Sequence, residues 1–210
     1  MSVQRFWIAP LLLVFSLSVL AAAQDNVVTG IIGRTFVSDQ GIKGATFPDP
    51  TVHFGNGLTF EGTYGRHLLG NGNLRLWGEI PVVFNPDQDL ITGANVIPGS
   101  YKALFITPGV RLNLFATTAI QPWFAFGGGY ARFSASSQLV YGGPNPGKTG
   151  TNTSAIDGGF GLDVRFKPKW GLRGQVRDFY TGVPNLNVDT GKSRQHNYFV
   201  GGGVVYFFGK

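Results

Sequence analysis

The sequence predicts an all-β fold, an eight-stranded antiparallel up-and-down transmembrane β-barrel, and three observations predict it. The first is the rhythm of the connections. Reading forward from Val27, eight alternating apolar segments are separated by gaps centred on residues 38–57, 70–73, 85–100, 116–119, 138–152, 167–169 and 182–194. Every odd gap is long and polar and every even gap is a tight turn. A barrel in a bacterial outer membrane needs that asymmetry, with long loops outside and short turns on the periplasmic face. The second is composition: 32 Gly, 18 Phe and 7 Tyr against 13% charged residues suit a crowded closed sheet with aromatic rims. The third is the period-two alternation inside the segments, taken below strand by strand.

The first residues do not belong to that sheet. Arg5 gives a positive start, Leu11 to Leu20 is an apolar run, and Ala21, Ala22 and Ala23 precede Gln24. This is the layout of a cleaved signal peptide over residues 1–23, leaving a barrel domain over 24–210. The apolar run falls short of the ~20 residues that a spanning helix needs. Removing the leader takes away Arg5 alone among charged residues, so the formal charge goes from +6 to +5. Lys and Arg are scattered singly and form no stripe, so no nucleic-acid partner is expected. Cys is absent, and the exported chain relies on no disulfide.

Five strands declare their faces. The second sets Phe60, Tyr64 and Leu68 against Thr59, Glu61, Thr63 and His67. The third sets Leu74, Leu76, Ile80 and Val82 against Arg75 and Glu79; the fourth sets Leu104, Ile106, Val110, Leu112 and Leu114 against Thr107, Arg111 and Asn113. The sixth, Ser154 to Phe166, places Ile156, Phe160, Leu162, Val164 and Phe166 opposite Asp157, Asp163 and Arg165. After the turn Lys167, Pro168, Lys169, the seventh places Trp170, Leu172, Val176 and Tyr180 opposite Arg173, Gln175 and Arg177. In a membrane barrel the apolar set faces lipid and the polar set faces the lumen. The first (Val27 to Val37), fifth (Gln121 to Ser134) and eighth (Asn197 to Phe208) strands alternate too weakly to assign faces. Pro81 and Pro108 cannot donate to a ladder, which predicts a rim position for Pro81 and a bulge at Pro108. Arg34, Arg66 and Arg132 fall on or near apolar faces. They are expected at the interfaces, where a lipid-facing charge costs ~0–1 kcal/mol rather than ~2–4 at midplane.

The inward positions supply the candidate site, a lumen charge network of Glu61, Arg75, Glu79, Arg111, Asp157, Asp163, Arg165, Arg173 and Arg177. Acids and bases nearly balance, and interleaved pairs offset the cost of burying each charge. The first reading is a charged plug; the second is an ion path or a gate opened by pair exchange. No catalytic, cofactor or metal constellation is expected. His53, His67 and His196 lack a Ser or Cys partner at a telling spacing, and no paired His motif appears. His67 with Glu61 or Thr63 is the best enzymatic candidate, against a plain role as polar filler near a periplasmic turn. Gly127, Gly128, Gly129 and Gly201, Gly202, Gly203 lack the spacing and the following helix of a phosphate-binding loop, and read as close packing of strands.

With its signal peptide, its eight strands and the stretches PWFAFGGGYARF (122–133), KPKWGLRGQVRDFYTG (167–182) and RQHNYFVGGGVVYFF (194–208), the chain resembles the small outer-membrane β-barrels of the OmpA-like and opacity-protein group. The resemblance covers the mature chain. It implies an insertion signal, in which Gly203, Tyr206 and Phe208 match the family's pattern, with Gly209 and Lys210 following. It also implies partners: the lipid bilayer with its outer-leaflet lipid, and the barrel-insertion machinery and periplasmic chaperones during assembly. The expected molecule is a monomer without cofactors. It has a structural or surface-interaction role and displays four extracellular loops on a plugged barrel. A narrow small-solute or ion pore is the alternative, and a lipid-modifying barrel enzyme the third reading.

Overall fold

The structure, a computed structural model, describes residues 25–209. The expected signal peptide, residues 1–23, lies outside the described residues. In chain order the strands are β1 (Asn26–Phe36), β2 (Gln40–Gly41), β3 (Thr51–Phe54), β4 (Gly57–Leu69), β5 (Leu74–Ile91), β6 (Ser100–Ile106), β7 (Gly109–Leu114), β8 (Ile120–Ala135), β9 (Gly150–Lys167), β10 (Trp170–Gly182) and β11 (Arg194–Phe208). β2 and β3 form a small hairpin within the first long loop, and β6 and β7 are two halves of one stave. Eight antiparallel staves remain, each paired with its neighbours in sequence. The ring closes where β1 pairs with β11, from Asn26↔Phe208 to Phe36↔Tyr198. Closure is obligatory, because an edge strand in hydrocarbon leaves its N–H and C=O groups without partners.

The alternation sorts as the five legible strands imply. Phe60, Tyr64, Ile80, Val82, Val110, Leu112, Ile156, Phe160, Leu162 and Leu172 are exposed on the outer wall. Their opposite positions point inward and are buried. Arg34, Arg66 and Arg132 sit on the outward parity. Arg34 and Arg132 lie toward the extracellular ends of β1 and β8, and Arg66 toward the periplasmic end of β4.

Both proline expectations need correction. Pro81 is not at a rim: it lies mid-strand in β5 and points into the lumen, opposite Thr63 of β4. Nor is there a bulge at Pro108. From Val82↔Ile106 to Glu79↔Gly109 the register advances three residues on both strands, so nothing is inserted. Thr107 and Pro108 interrupt the stave without shifting it, and the Thr107 amide reaches the Pro81 carbonyl at 3.4 Å. The bulge falls instead between Asn85 and Gln88, where β5 carries one residue more than both β4 and β6. That places Pro86 where no ladder amide is needed. The extra residue also flips the inward phase from Val83 and Asn85 to Gln88 and Leu90. This is why residues 85–91 read as loop in the sequence and are strand in the structure.

The seam between β11 and β1 is built on small residues. A methyl group placed on Gly203 would overlap the Gly30 carbonyl, and one on Gly201 would meet Ile31 and Phe199. Gly30 itself faces open space outside the wall. Gly203→Ala is therefore expected to destabilise the barrel by ~1–3 kcal/mol through overpacking. Gly30→Ala should stay within ~0.5 kcal/mol of wild type. Urea unfolding of each variant in detergent, followed by tryptophan fluorescence, checks the contrast.

Candidate functional site

The lumen is filled in strata. At the periplasmic end Val27, Trp77, Val205 and Phe207 form a small apolar floor. Above it lies the charged belt. Above that, Ile31, Val83, Tyr101, Ala103, Phe105, Ala131, Phe133, Phe179 and Phe199 pack into an apolar plug. Phe105 stacks on Phe179 at 4.7 Å, and Phe133 meets Phe105 and Tyr101 edge-on. Val52, Ile97 and Leu186, from three separate extracellular loops, bury their side chains in the same plug. A polar lid covers it: Gln195 accepts from Gln40 and donates to Asn197, and Thr190 donates to Gln40.

Seven of the nine predicted network residues meet in the belt, with Arg177 and Arg111 as its hubs. Arg177 reaches Asp157 at 2.6 Å, Glu79 at 2.5 Å and Glu61 at 3.7 Å. Arg111 spans Glu79 at 2.9 Å and Asp163 at 3.5 Å. Arg173 holds Asp163 through two donors, at 2.7 and 2.8 Å. The fork geometry of guanidinium makes such shared, two-donor pairing possible where a point charge would serve only one acid. The side chains of these residues are at most 2% exposed. Neutral groups add to the shell: Gln175 donates to Glu61 at 2.5 Å, Thr63 to Glu61 at 2.7 Å and Thr107 to Asp157 at 3.2 Å.

Two tryptophans brace the guanidinium planes. Trp123 lies beneath Arg173 at 4.8 Å and near Arg111 and Arg177, and its indole N–H donates to Asp163 at 3.1 Å. Trp77 lies 5.4 Å from Arg111. Sequence reading missed both. The signal that could have found Trp77 was its parity with Arg75 and Glu79.

Arg75 and Arg165 do not join the belt. Their inward parity was right, but they lie nearer the periplasmic ends of β5 and β9 and reach the mouth rather than the middle. Arg165 stacks over Phe207 at 3.8 Å. His67 does not approach Glu61 or Thr63: its Nε2 is 3.0 Å from the Gly70 carbonyl in the periplasmic turn, and its ring packs on Trp77. The three residues expected to carry an insertion signal lie on the seam strand. Phe208 is outward, Tyr206 lies between Trp170 and Phe208 in an aromatic stack, and Gly203 is opposite Ile31.

No protein-family description matches the chain, and no curated protein does. Solved structures do. The chain is similar to Neisserial surface protein A, at 15% identity over 87% of this chain and 97% of that one, with a TM-score of 0.53. It is similar to the outer membrane protein OprG from Pseudomonas aeruginosa at 12% identity, over 90% and 98% of the two chains, with a TM-score of 0.53. The outer membrane protein AlkL, solved in lipid bilayers, matches at 14% identity over 90% and 92%, with a TM-score of 0.51. By fold the chain is a small eight-stranded antiparallel β-barrel, the architecture that these outer-membrane proteins share. Its outer wall carries the belt of exposed apolar side chains that a transmembrane β-barrel turns to lipid.

Two predictions follow from the lumen and its cap. Arg177→Met removes the cation shared by Glu61, Glu79 and Asp157 and should cost ~3–5 kcal/mol, as expected when buried charges lose their partner. Chemical unfolding in micelles checks it, with Arg34→Met on the outer rim as the near-neutral control. In the first loop, His53 sits between Asp39 at 2.6 Å and Asp49 at 3.2 Å. Its pKa is raised above the usual imidazole value, chiefly by the hydrogen bond to Asp39 and then by that to Asp49. A raised folded pKa gives stability that is full below the unfolded value and lost as pH rises through the folded one. Amide exchange of residues 39–54 should thus be slower, after correction for intrinsic rates, at pH 5.5 than at pH 8. The difference should vanish in His53→Gln.

Proposed function

We propose that the protein is a closed, non-conducting barrel with a structural or surface-interaction role that presents its extracellular loops on a rigid base. The observation that carries this reading is the stacking of apolar floor, ion-paired belt, apolar plug and polar lid across the whole lumen. An ion would have to displace belt pairs made in near-complete isolation from water, and then cross a layer of phenylalanines that offers it no ligand. A wide charged lumen that favours one sign would speak for transport. The belt instead interleaves four carboxylates with three guanidiniums, which leaves no strong excess of either sign.

The exposed surface left for interaction is the loop tips. Tyr141 is 62% exposed, in a stretch whose neighbours are Gly, Pro and Asn. Such positions on a rigid scaffold are where binding concentrates. Reconstitution in a planar bilayer is the test. The expected record is flat, with no discrete openings in wild type. Steady openings whose size changes in Arg111→Gln or Arg173→Gln would replace this reading with the narrow pore.

A further inference from the structure

Where β5, β9 and β11 end at the periplasmic mouth, a cavity of about 290 Å³ opens between Asp25, Arg75, Arg165, Lys169, Phe207 and Phe208. Three of these side chains are cationic and one is anionic. Neither the Arg75 nor the Arg165 guanidinium takes part in an ion pair or a protein hydrogen bond among the described residues. Both guanidiniums belong to side chains that line this one cavity. The Nε of Arg165 is buried and without a hydrogen-bond partner, although N–H groups so placed are normally satisfied. That guanidinium stacks on Phe207, 3.8 Å away, which leaves its edge donors to serve a partner at the mouth. The main-chain N–H of Arg165 is spent on the Ala119 carbonyl, so only the side chain is free.

We propose that this mouth is a binding site for a phosphate monoester. Arg75, Arg165 and Lys169 would surround it, with the Arg165 edge donating to one oxygen and Arg75 and Lys169 to others. Three positive charges against Asp25 leave an excess that suits a dianion better than a single carboxylate. Arginine provides the directional donors that a tetrahedral oxyanion accepts, and lysine a mobile point charge. Phe208 and the Pro168–Lys169 turn mark the periplasmic end of the wall, the level at which interfacial aromatics meet lipid headgroups. The same chemistry can thus arrive as a soluble phosphate or as the headgroup of a lipid such as phosphatidic acid. The site is separate from the belt, and neither conductance nor surface binding bears on it.

The test reads the Arg165 Nε–H resonance of the barrel in phosphate-free detergent micelles during titration with inorganic phosphate at constant ionic strength. A saturable shift with a millimolar midpoint is expected, and chloride should not reproduce it. Arg75→Gln should weaken the midpoint about tenfold. Should that variant fold poorly, Lys169→Gln, in the exposed turn, should weaken it about threefold. A second arm compares nanodiscs of phosphatidylcholine with and without phosphatidic acid, in the absence of free phosphate. A shift there assigns the lipid headgroup as the source, and a shift confined to the micelle titration assigns a soluble phosphate. No saturable shift in either arm, a shift that chloride reproduces, or one unaltered by both substitutions would overturn the proposal.

Discussion

Closure of the hydrogen-bonded ring governs the rest of this molecule. In hydrocarbon every N–H and C=O must find a partner within the protein, so the first and last strands have to meet along their whole length. They do, through eleven paired positions between Asn26 and Phe36. The seam can approach that closely only because Gly33, Gly201 and Gly203 carry no side chain on its inner side. The same demand decides where proline is tolerated. Pro81 and Pro108 occupy neighbouring staves around one short interruption, and Pro86 occupies a bulge, so these three missing donors fall where the ladder is already broken.

A ring of eight strands leaves an interior that side chains must fill. Period-two alternation then obliges every residue between two lipid-facing ones to contribute to the filling. Apolar filling alone would be the cheaper choice at any one level, since an ion pair recovers its desolvation cost only with good geometry. The belt meets that condition by sharing: Glu79 lies between Arg111 and Arg177, and Asp163 between Arg111 and Arg173. Each arginine plane also lies near Trp123, which supplies a favourable cation–π contact without adding a charge to neutralise. The apolar floor and plug on either side keep water from competing for these donors. The layers therefore depend on one another.

The alternation of β4, β5, β9 and β10 and of the β6–β7 stave was legible because their inward residues are polar, so two faces differ. The first, fifth and eighth staves were not, because Ile31, Ala131, Phe133, Phe199 and Val205 point inward and are as apolar as the outer wall. Weak alternation was thus itself the mark of the apolar plug. Parity gives a face but not a height. Arg75 and Arg165 could not be told from Arg111 and Arg173, although the first two reach the mouth and the others the middle. Residues 85–91 were lost to the loop for a related reason: one bulged residue reverses the phase, and the pattern ceases to look like strand.

The loops belong to this packing as well as to the surface. Val52, Ile97 and Leu186 are buried in the plug, and Val140 packs against it, so all four long connections are anchored from below. Loops two and three are also tied to each other: Asn95 accepts from the Tyr141 amide at 2.9 Å and donates to the Gly142 carbonyl at 2.9 Å. A connection held in this way carries little freedom at its base, and what remains lies in the exposed tips. Residues that recognise a surface ligand must therefore come from those tips, because any base residue recruited for binding would first have to leave the apolar plug and open the lumen beneath it.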